Sequence, residues 1–439
     1  MRLPVLVPLV MISLCCLFST AHAELIIEIT RGMNDAVPVA VVPFGTQGTK
    51  PALDVAEVVA NDLARSGRFA PLERRDMIEQ PAYGDKIQFA DWRLLKVNYI
   101  LVGKIINRAA DRFDIQFDLF NALNGQRLLG ANGMQIAATT TTMRITAHSI
   151  ADIVFEQLTG IRGVASTRIA YVNAEGSAPN LSYKLIVSDA DGANFIPVAT
   201  SSEPIMSPSW SPDGINLAYV SFENKTAVIN VKNLQTGEIR RVSARAGING
   251  APAWSPDGKQ LALTLSRKDG DVDVYTLELA TQMLTRITYD PGIDTEPAWS
   301  IDGSKLYFTS DRSGNAQIYE SAVRDANHVP RRVTFDGNYN ARARISPDGK
   351  QLAMVHQEGS SFNIATLDLK SGAVQVITKG KQDESPSYAP NGAQLIFATQ
   401  SRGHGVLSLI CTDGRGQQIL GASSGDVREA VWGPFPRKQ

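Results

Sequence analysis

Residues 421–425 read Gly-Ala-Ser-Ser-Gly, the spacing of a hydrolase nucleophile elbow, in which a serine on a tight strand-to-helix turn gives its proton to a histidine later in the chain. Only 14 residues follow and none is histidine, so the stretch has no base to work with. Past the first 23 residues the histidines are His148, His328, His356 and His404, and no two stand at a metal-ligand spacing. His148 falls inside the helical run 143–158 and reads as a structural histidine with no ligand partner beside it. Residues 189–192, Asp-Ala-Asp-Gly, bring two carboxylates together but lack the remaining oxygen donors of a calcium loop, so they read as a turn between strands. No Gly-x4-Gly-Lys-Ser/Thr loop offers itself to a nucleotide. Carboxylates for acid and base work on a glycan could come from Asp294, Glu296, Asp383 and Glu384, yet the sequence supplies them with neither a nucleophile nor a metal. A small-ligand site in the same region is the other alternative. The sequence therefore points away from an enzyme, and no cofactor is implied.

What positions these residues begins with an address. Arg2 precedes an apolar stretch from Leu3 to Phe18, and Ala21-His22-Ala23 supplies the small residues read by a signal peptidase. Residues 1–23 are expected to be a signal peptide. A lipid anchor on Cys15 or Cys16 fits less well than this cleavage site. The apolar stretch falls short of the roughly 20 residues a membrane helix needs, so no direct membrane insertion is expected and the chain should be soluble after cleavage. Cleavage would leave Cys411 as the single cysteine; the exported domains then hold by packing alone, and Cys411, in an alternating apolar stretch, reads as a small buried hydrophobe. The formal charge of −1 gives no global pull toward nucleic acid or an acidic lipid surface.

A repeat organises the larger part. Ser-Pro-Ser-Trp-Ser-Pro-Asp-Gly at 207–214 returns as Ala-Pro-Ala-Trp-Ser-Pro-Asp-Gly at 251–258, and in altered form from Glu296, Arg342 and Ser385. The matching positions Trp210, Trp254, Trp299, Ile345, Tyr388 and Trp432 are 44, 45, 46, 43 and 44 residues apart. A period of roughly 40–50 residues with several short strands per copy predicts a β-propeller with four-stranded blades. Within a copy, Ser-Pro-Asp-Gly is the turn between the first two strands, and copies are needed because one blade cannot bury both of its faces alone. Second strands begin near residues 167, 216, 260, 305, 351 and 394, which gives six blades. The first has no Ser-Pro-Asp-Gly before it, whereas Glu429-Ala-Val-Trp-Gly-Pro-Phe435 is a first strand with no blade after it. The C-terminal strand should complete blade I and abolish the open edge.

Residues 24–160 differ. Val37–Phe44 is a continuous apolar run suited to a buried strand, residues 52–66 have helical periodicity stopped by Gly67, and strands are expected at 98–106, 113–123 and 126–136, with Asn124-Gly125 as a turn. A last helix from Met143 leads into the ring. The expected organisation is a small α/β domain at 24–160, with an extended segment at 24–36, followed by the propeller at 161–439.

If the Ser-Pro-Asp-Gly turns lie on one face of the ring, the loops leading into each first strand lie on the other, around the channel mouth. These loops differ from one another and carry both signs of charge, which favours a binding surface over merely tolerant loops. Glu296 and Asp383 are read there as exposed charges that contribute little to folding.

The chain resembles the TolB family, the periplasmic component of the Tol-Pal system. The likeness runs through RIAYV at 168–172, SEPIMSPSWSPDG at 202–214, INGAPAWSPDG at 248–258, IDTEPAWS at 293–300, FTSDR at 308–312, DESPSYAPNG at 383–392, VREAVWGPF at 427–435 and, before the ring, DLARSGRF at 62–69 and AHSIADIVFEQLTG at 147–160. The third copy departs from it with Ile301 in place of proline. The resemblance implies a non-enzymatic, soluble, monomeric protein of the Gram-negative periplasm that supports outer-membrane integrity and constriction during cell division. It implies that the peptidoglycan-associated lipoprotein Pal docks on the face made by the leading loops, at Glu203, Met206, Ile248, Asn249, Ala251, Thr295, Glu296, Asn340, Ala341, Arg342, Asp383, Glu384 and Arg428. It also implies that the inner-membrane protein TolA takes the segment Glu24, Leu25, Ile26, Ile27, Glu28, Ile29 and Thr30, whose Leu25, Ile27 and Ile29 give an extended chain one apolar face.

Overall fold

The computed structural model describes residues 36–177, 179–266, 270–325, 329–420 and 425–436. The expected signal, the segment from Glu24 to Thr30, residues 421–424 of the Gly-Ala-Ser-Ser-Gly stretch and His328 lie outside the described residues.

The N-terminal domain contains β1 (Val37–Val41), β2 (Gly45–Gln47), α1 (Val55–Arg65), β3 (Phe69–Pro71), α2 (Phe89–Leu94), β4 (Tyr99–Ala109), β5 (Arg112–Asn121), β6 (Met134–Ala138) and α3 (Met143–Thr159). The strands form one sheet in the order β3-β1-β4-β5-β6, with β2 also on β4. β1 is parallel to both neighbours, which explains its unbroken apolar sequence: a strand buried on both faces has no polar side. Val39 and Val41 pack with α1 and α3, whereas Ala40 and Val42 pack with Trp92 of α2. Asp54 caps α1 by accepting from the Glu57 amide at 3.0 Å, and Gly160, at φ 71°, ends α3 in the left-handed conformation.

Two local features depart from expectation. α2 is six residues long, too short for periodicity to reveal, and is anchored by Trp92 Nε1 donating to Glu79 Oε1 at 2.7 Å. The stretch 126–136 is not one strand: Gly130 and Gly133, with φ of 80° and 66°, interrupt it, and β6 begins only at Met134.

Among the described residues, six four-stranded sheets follow. Blade I joins Arg168–Glu175, Ser182–Asp189 and Ile196–Ser201 to the C-terminal strand Asp426–Trp432, which pairs with Arg168–Glu175 in antiparallel register, Trp432 opposite Ile169. The ring is closed by the two ends of its own sequence, which gives blade I the inner strand that its neighbours have and covers the edge of Arg168–Glu175. Blades II to VI start at Ile205, Asn249, Asp294, Asn340 and Glu384. In blade III, Leu261, Leu263 and Leu265 pack toward blade II, while Ala262 between them packs toward blade IV. Each second strand is therefore apolar on both sides, and each leucine buried in this way contributes roughly 1.5–3 kcal/mol that exists only if the neighbouring blade is present.

The repeated turn has a local cause. In blade III, Ser255 Oγ donates to Asp257 Oδ1 at 2.6 Å and accepts from the Gln260 amide at 2.9 Å, while Asp257 Oδ1 also accepts from the Lys259 amide at 3.0 Å. Gly258 takes φ 71°. Serine and aspartate thus satisfy the backbone that the turn frees, and glycine alone takes its last dihedral without a steric penalty. The turns at Ser300 and Ser346 repeat the arrangement.

Candidate partner-binding face

Every first strand carries a one-residue bulge at the same place, between Met206 and Ser209, Gly250 and Ala253, Thr295 and Ala298, Ala341 and Arg344, Glu384 and Ser387, and Arg428 and Val431. The bulge residues are Ser207, Ala251, Glu296, Arg342, Ser385 and Glu429, and all have φ between 45° and 57°. A non-glycine residue held there costs on the order of 1 kcal/mol or more, and strain of this kind collects where a surface is shaped for use. Here it turns a ring of unlike side chains into the channel.

Arg342 spans that channel. Its Nε donates to Glu296 Oε1 at 2.6 Å, its Nη2 to Glu429 Oε1 at 3.1 Å and its Nη1 to Ser385 Oγ, which ties blade V to blades IV, I and VI. Burial disfavours its charge, but the carboxylates of Glu429 and Glu296 outweigh that and hold it firmly protonated. Beside it opens a cavity of about 600 Å³ whose walls include Tyr339, Gln382, Glu384, Asp426 and Arg428.

The residue two before each bulge is a buried peg: Ile205, Asn249, Asp294, Asn340, Asp383 and Val427 are each at most 4% exposed. Asn249 accepts from Ser243 Oγ and donates to the Arg245 carbonyl. Asn340 bonds Gln317 Oε1 and His356 Nδ1. Asp294 takes both oxygens to Arg312 at 2.9 and 2.8 Å. Asp383 accepts from Thr378 and Thr399 hydroxyls and from the Gly380 amide.

The sequence-derived residues therefore divide. Glu203, Met206, Ile248 and Arg428 are exposed, with Met206 at 38% and Ile248 at 47%. Thr295 and Glu384 are half-buried on the same rim, and Ala251, Glu296 and Arg342 lie in the channel. Asn249, Asn340, Ala341 and Asp383 are buried. The expectation that Glu296 and Asp383 are free loop charges fails, because one clamps Arg342 and the other organises its own loop. Of the four carboxylates offered for catalysis, Asp294, Glu296 and Asp383 are thus already engaged. Sequence reading missed Ser207, Ser385 and Glu429; the signal available was their place in the repeat, one residue after the rim position.

The face is turned away from the N-terminal domain, which rests on the Ser-Pro-Asp-Gly side of blades VI and I. There the altered turn of blade VI, Ala-Pro-Asn-Gly, uses the side-chain amide of Asn391 to donate to the Arg162 carbonyl at 2.9 Å, a bond the usual aspartate could not make. His148, read as a structural histidine with no ligand partner beside it, does have carboxylates beside it: at this seam it meets Asp62, Asp189 and Asp191. His356 and His404 remain outside any such cluster among the described residues.

Residues 155–436 match the family described as TolB beta propeller domain, and residues 25–128 the TolB amino-terminal domain. Over 415 residues the chain is 44% identical to the Tol-Pal system protein TolB of Xanthomonas oryzae pv. oryzae, covering 94% of this chain and 93% of that one. The corresponding protein of Xanthomonas campestris pv. campestris matches equally, at 44% over the same 94% and 93%. The crystal structure of TolB from Acinetobacter baumannii superposes with a TM-score of 0.84 at 37% identity, over 91% of this chain and 97% of that one.

Proposed function

Because this chain belongs to the TolB family, periplasmic β-propeller proteins of the Tol-Pal system, we propose that it works by binding, with Pal seated on the leading-loop face of the ring. The observation that carries the proposal is the ring of six left-handed residues at the mouth of the channel, on the face opposite the one where the N-terminal domain meets blade VI. Around this mouth, exposed Met206 and Ile248 stand among Glu203, Glu384 and Arg428, the combination of apolar anchors and polar rim that protein interfaces use. The buried pegs Asn249, Asn340 and Asp383 act in this reading by fixing the loops, and Ala341 by lining the wall.

The segment Glu24 to Thr30 is proposed as the site for TolA, by addition of an extended strand to a partner's sheet edge; its alternating Leu25, Ile27 and Ile29 support this. Through Pal and TolA the protein would serve outer-membrane integrity and constriction at division. A glycan-cleaving role is disfavoured because Asp294, Glu296 and Asp383 already serve internal partners.

Titration of purified Pal against the Met206→Asp, Arg428→Glu double variant tests the reading. Affinity should fall at least about tenfold, the cost of a disrupted anchor, while the melting temperature stays within a few degrees. Lys259→Glu on the opposite turns should change neither. Unchanged affinity in the double variant would remove this face from the proposal.

A further inference from the structure

Where the two domains meet, three carboxylates and three cations gather around a buried centre, with Asp62 and His148 buried and the other four half-buried. Asp62 and Arg65 come from α1, His148 and Arg144 from α3, and Asp189 and Asp191 from the turn at residues 189–192 of blade I. His148 has no exposed surface. Its Nδ1 lies 2.6 Å from Asp62 Oδ2, and its Nε2 faces Asp189 and Asp191 at 3.7 and 3.9 Å, charge contacts too long to be hydrogen bonds. Arg65 pairs with Asp62 and stands 3.8 Å from Asp191. Arg144 pairs with Asp191 and stands 3.4 Å from Asp189.

Two further groups face the cluster. Asp152, also on α3, accepts from the Ala165 and Ser166 amides, and burial pushes its carboxyl up. Arg168, on the first strand of blade I, lies in the field of Asp189. The six central charges cancel only when His148 is protonated, and a buried cluster must come close to cancelling.

Asp62, His148 and Asp191 also place ligand atoms within 4.8 Å of one another, as a metal would need. The two guanidiniums already hold those carboxylates, so a divalent ion would have to expel a paired arginine. The protein's own cations fill the position.

The rest of the seam is mostly polar. Among the described residues it includes Gln394 Nε2 to the Arg65 carbonyl at 2.9 Å, Gln418 Nε2 to the Ala64 carbonyl at 3.1 Å, the Cys411 thiol to the Ser66 carbonyl, Asn391 to Arg162 in the connection, and an Arg68–Asp413 contact at 3.7 Å. A cavity of about 40 Å³ beside Asp62, Asp152 and Trp432 leaves it short of close packing. Each domain keeps its own core, and residues 161–166 join them.

We propose that the six-charge cluster is a latch between the domains, closed while His148 carries its proton, and that neutralising His148 releases the N-terminal domain from the propeller while both stay folded. Burial alone would lower the pKa of His148, but the carboxylates of Asp189 and Asp62 outweigh it and hold it at about 9, above the ordinary 6.5. For a group whose docked pKa is raised, the contribution to docking is complete below the free value and is lost as pH rises through the docked one. The latch therefore stays shut through neutral pH and opens above about pH 9, with docking weakened on the order of 100-fold. It stands independently of where Pal binds.

The protein carries its own reporter. In the chain from Glu24 onward Cys411 is the single cysteine, 2% exposed, with its thiol donating to the Ser66 carbonyl across the seam at 3.3 Å. Burial pushes that thiol up to about 11. At pH 7, His148→Gln and Asp191→Asn should each raise the rate of maleimide labelling at Cys411 at least about tenfold and enlarge the radius of gyration by small-angle scattering, with unchanged circular dichroism. Wild type should expand between pH 7 and 10, and His148→Gln, already open, should not. Asp191→Asn, on a propeller turn, carries the test if His148→Gln does not fold. Wild-type labelling and scattering in the variants, or a wild type still closed at pH 10, overturns the latch. So would protection by added zinc with opening by a chelator, which would make the cluster a metal site.

Discussion

The two faces of the ring solve the same problem in different ways. On the Ser-Pro-Asp-Gly face blades II to V satisfy their turns from within five residues, serine to aspartate to amide, so nearly the same letters return with the period. On the leading-loop face the equivalent buried position is met by a different chemistry in each blade: Asn249 by its own loop, Asp294 by Arg312, Asn340 by Gln317 and His356, Asp383 by two threonines. Variation there is not a sign of idle, solvated loops. It is distributed between buried pegs that fix each loop and exposed residues that, in the proposed function, meet a partner. The altered turn of blade VI makes the same point, since Asn391 departs from aspartate where the connection between the domains presents the Arg162 carbonyl.

Three measurements would break or sharpen this contrast. Asp383→Ala should have the largest effect, because it strands two hydroxyls and the Gly380 amide in a buried site; a loss of about 3 kcal/mol in urea unfolding is expected. A loss under about 1 kcal/mol would return Asp383 to the class of free loop charges. Arg342→Ala should cost about 2 kcal/mol, the scale of hydrogen bonds lost to charged groups, by leaving Glu296 and Glu429 without their shared cation. In that variant the paired carboxylates hold protons more tightly when folded than when unfolded. Its deficit should therefore shrink at pH 5 and grow toward pH 8, and a pH-independent deficit would show that the channel clamp is not electrostatic.

The smallest effect belongs to the uniform face. The Ser300 hydroxyl and the Ser304 amide hold the Asp302 carboxyl down at about 2. A depressed carboxyl stabilises the fold above its ordinary pKa and loses that contribution as pH falls through the folded value. Asp302→Asn should thus remove a slight acid-side fall in stability between about pH 4 and pH 2 and leave neutral stability almost unchanged. Thermal melts across that range would reveal it, and an acid limb identical to wild type would deny the turn aspartate its role.

Much of the fold was legible because its causes are local. Five copies of one turn, spaced by about one blade, require a ring of sheets that bury one another, and a first strand stranded at the C-terminus requires a partner at the start. The unbroken apolar run at β1 and the glycine stop of α1 were readable for the same reason. α2 escaped because six residues carry no period.

The site was legible only as a face. Its spacing located the loops, but which side chains point outward depended on the bulge that turns residue 207, 251, 296, 342, 385 or 429 into the channel and its second neighbour into the interior. The seam was not legible at all. His148 and Asp62 are 86 residues apart, and Asp189 and Asp191 read alone as a turn. Sequence determines what a short stretch can satisfy by itself, such as hydrogen bonds within a turn and the alternation of a buried strand. Burial and the summed field of distant charges exist only once the chain has closed, so the tertiary structure alone decides that Asp383 is a peg, that Glu296 is a clamp and that His148 keeps its proton.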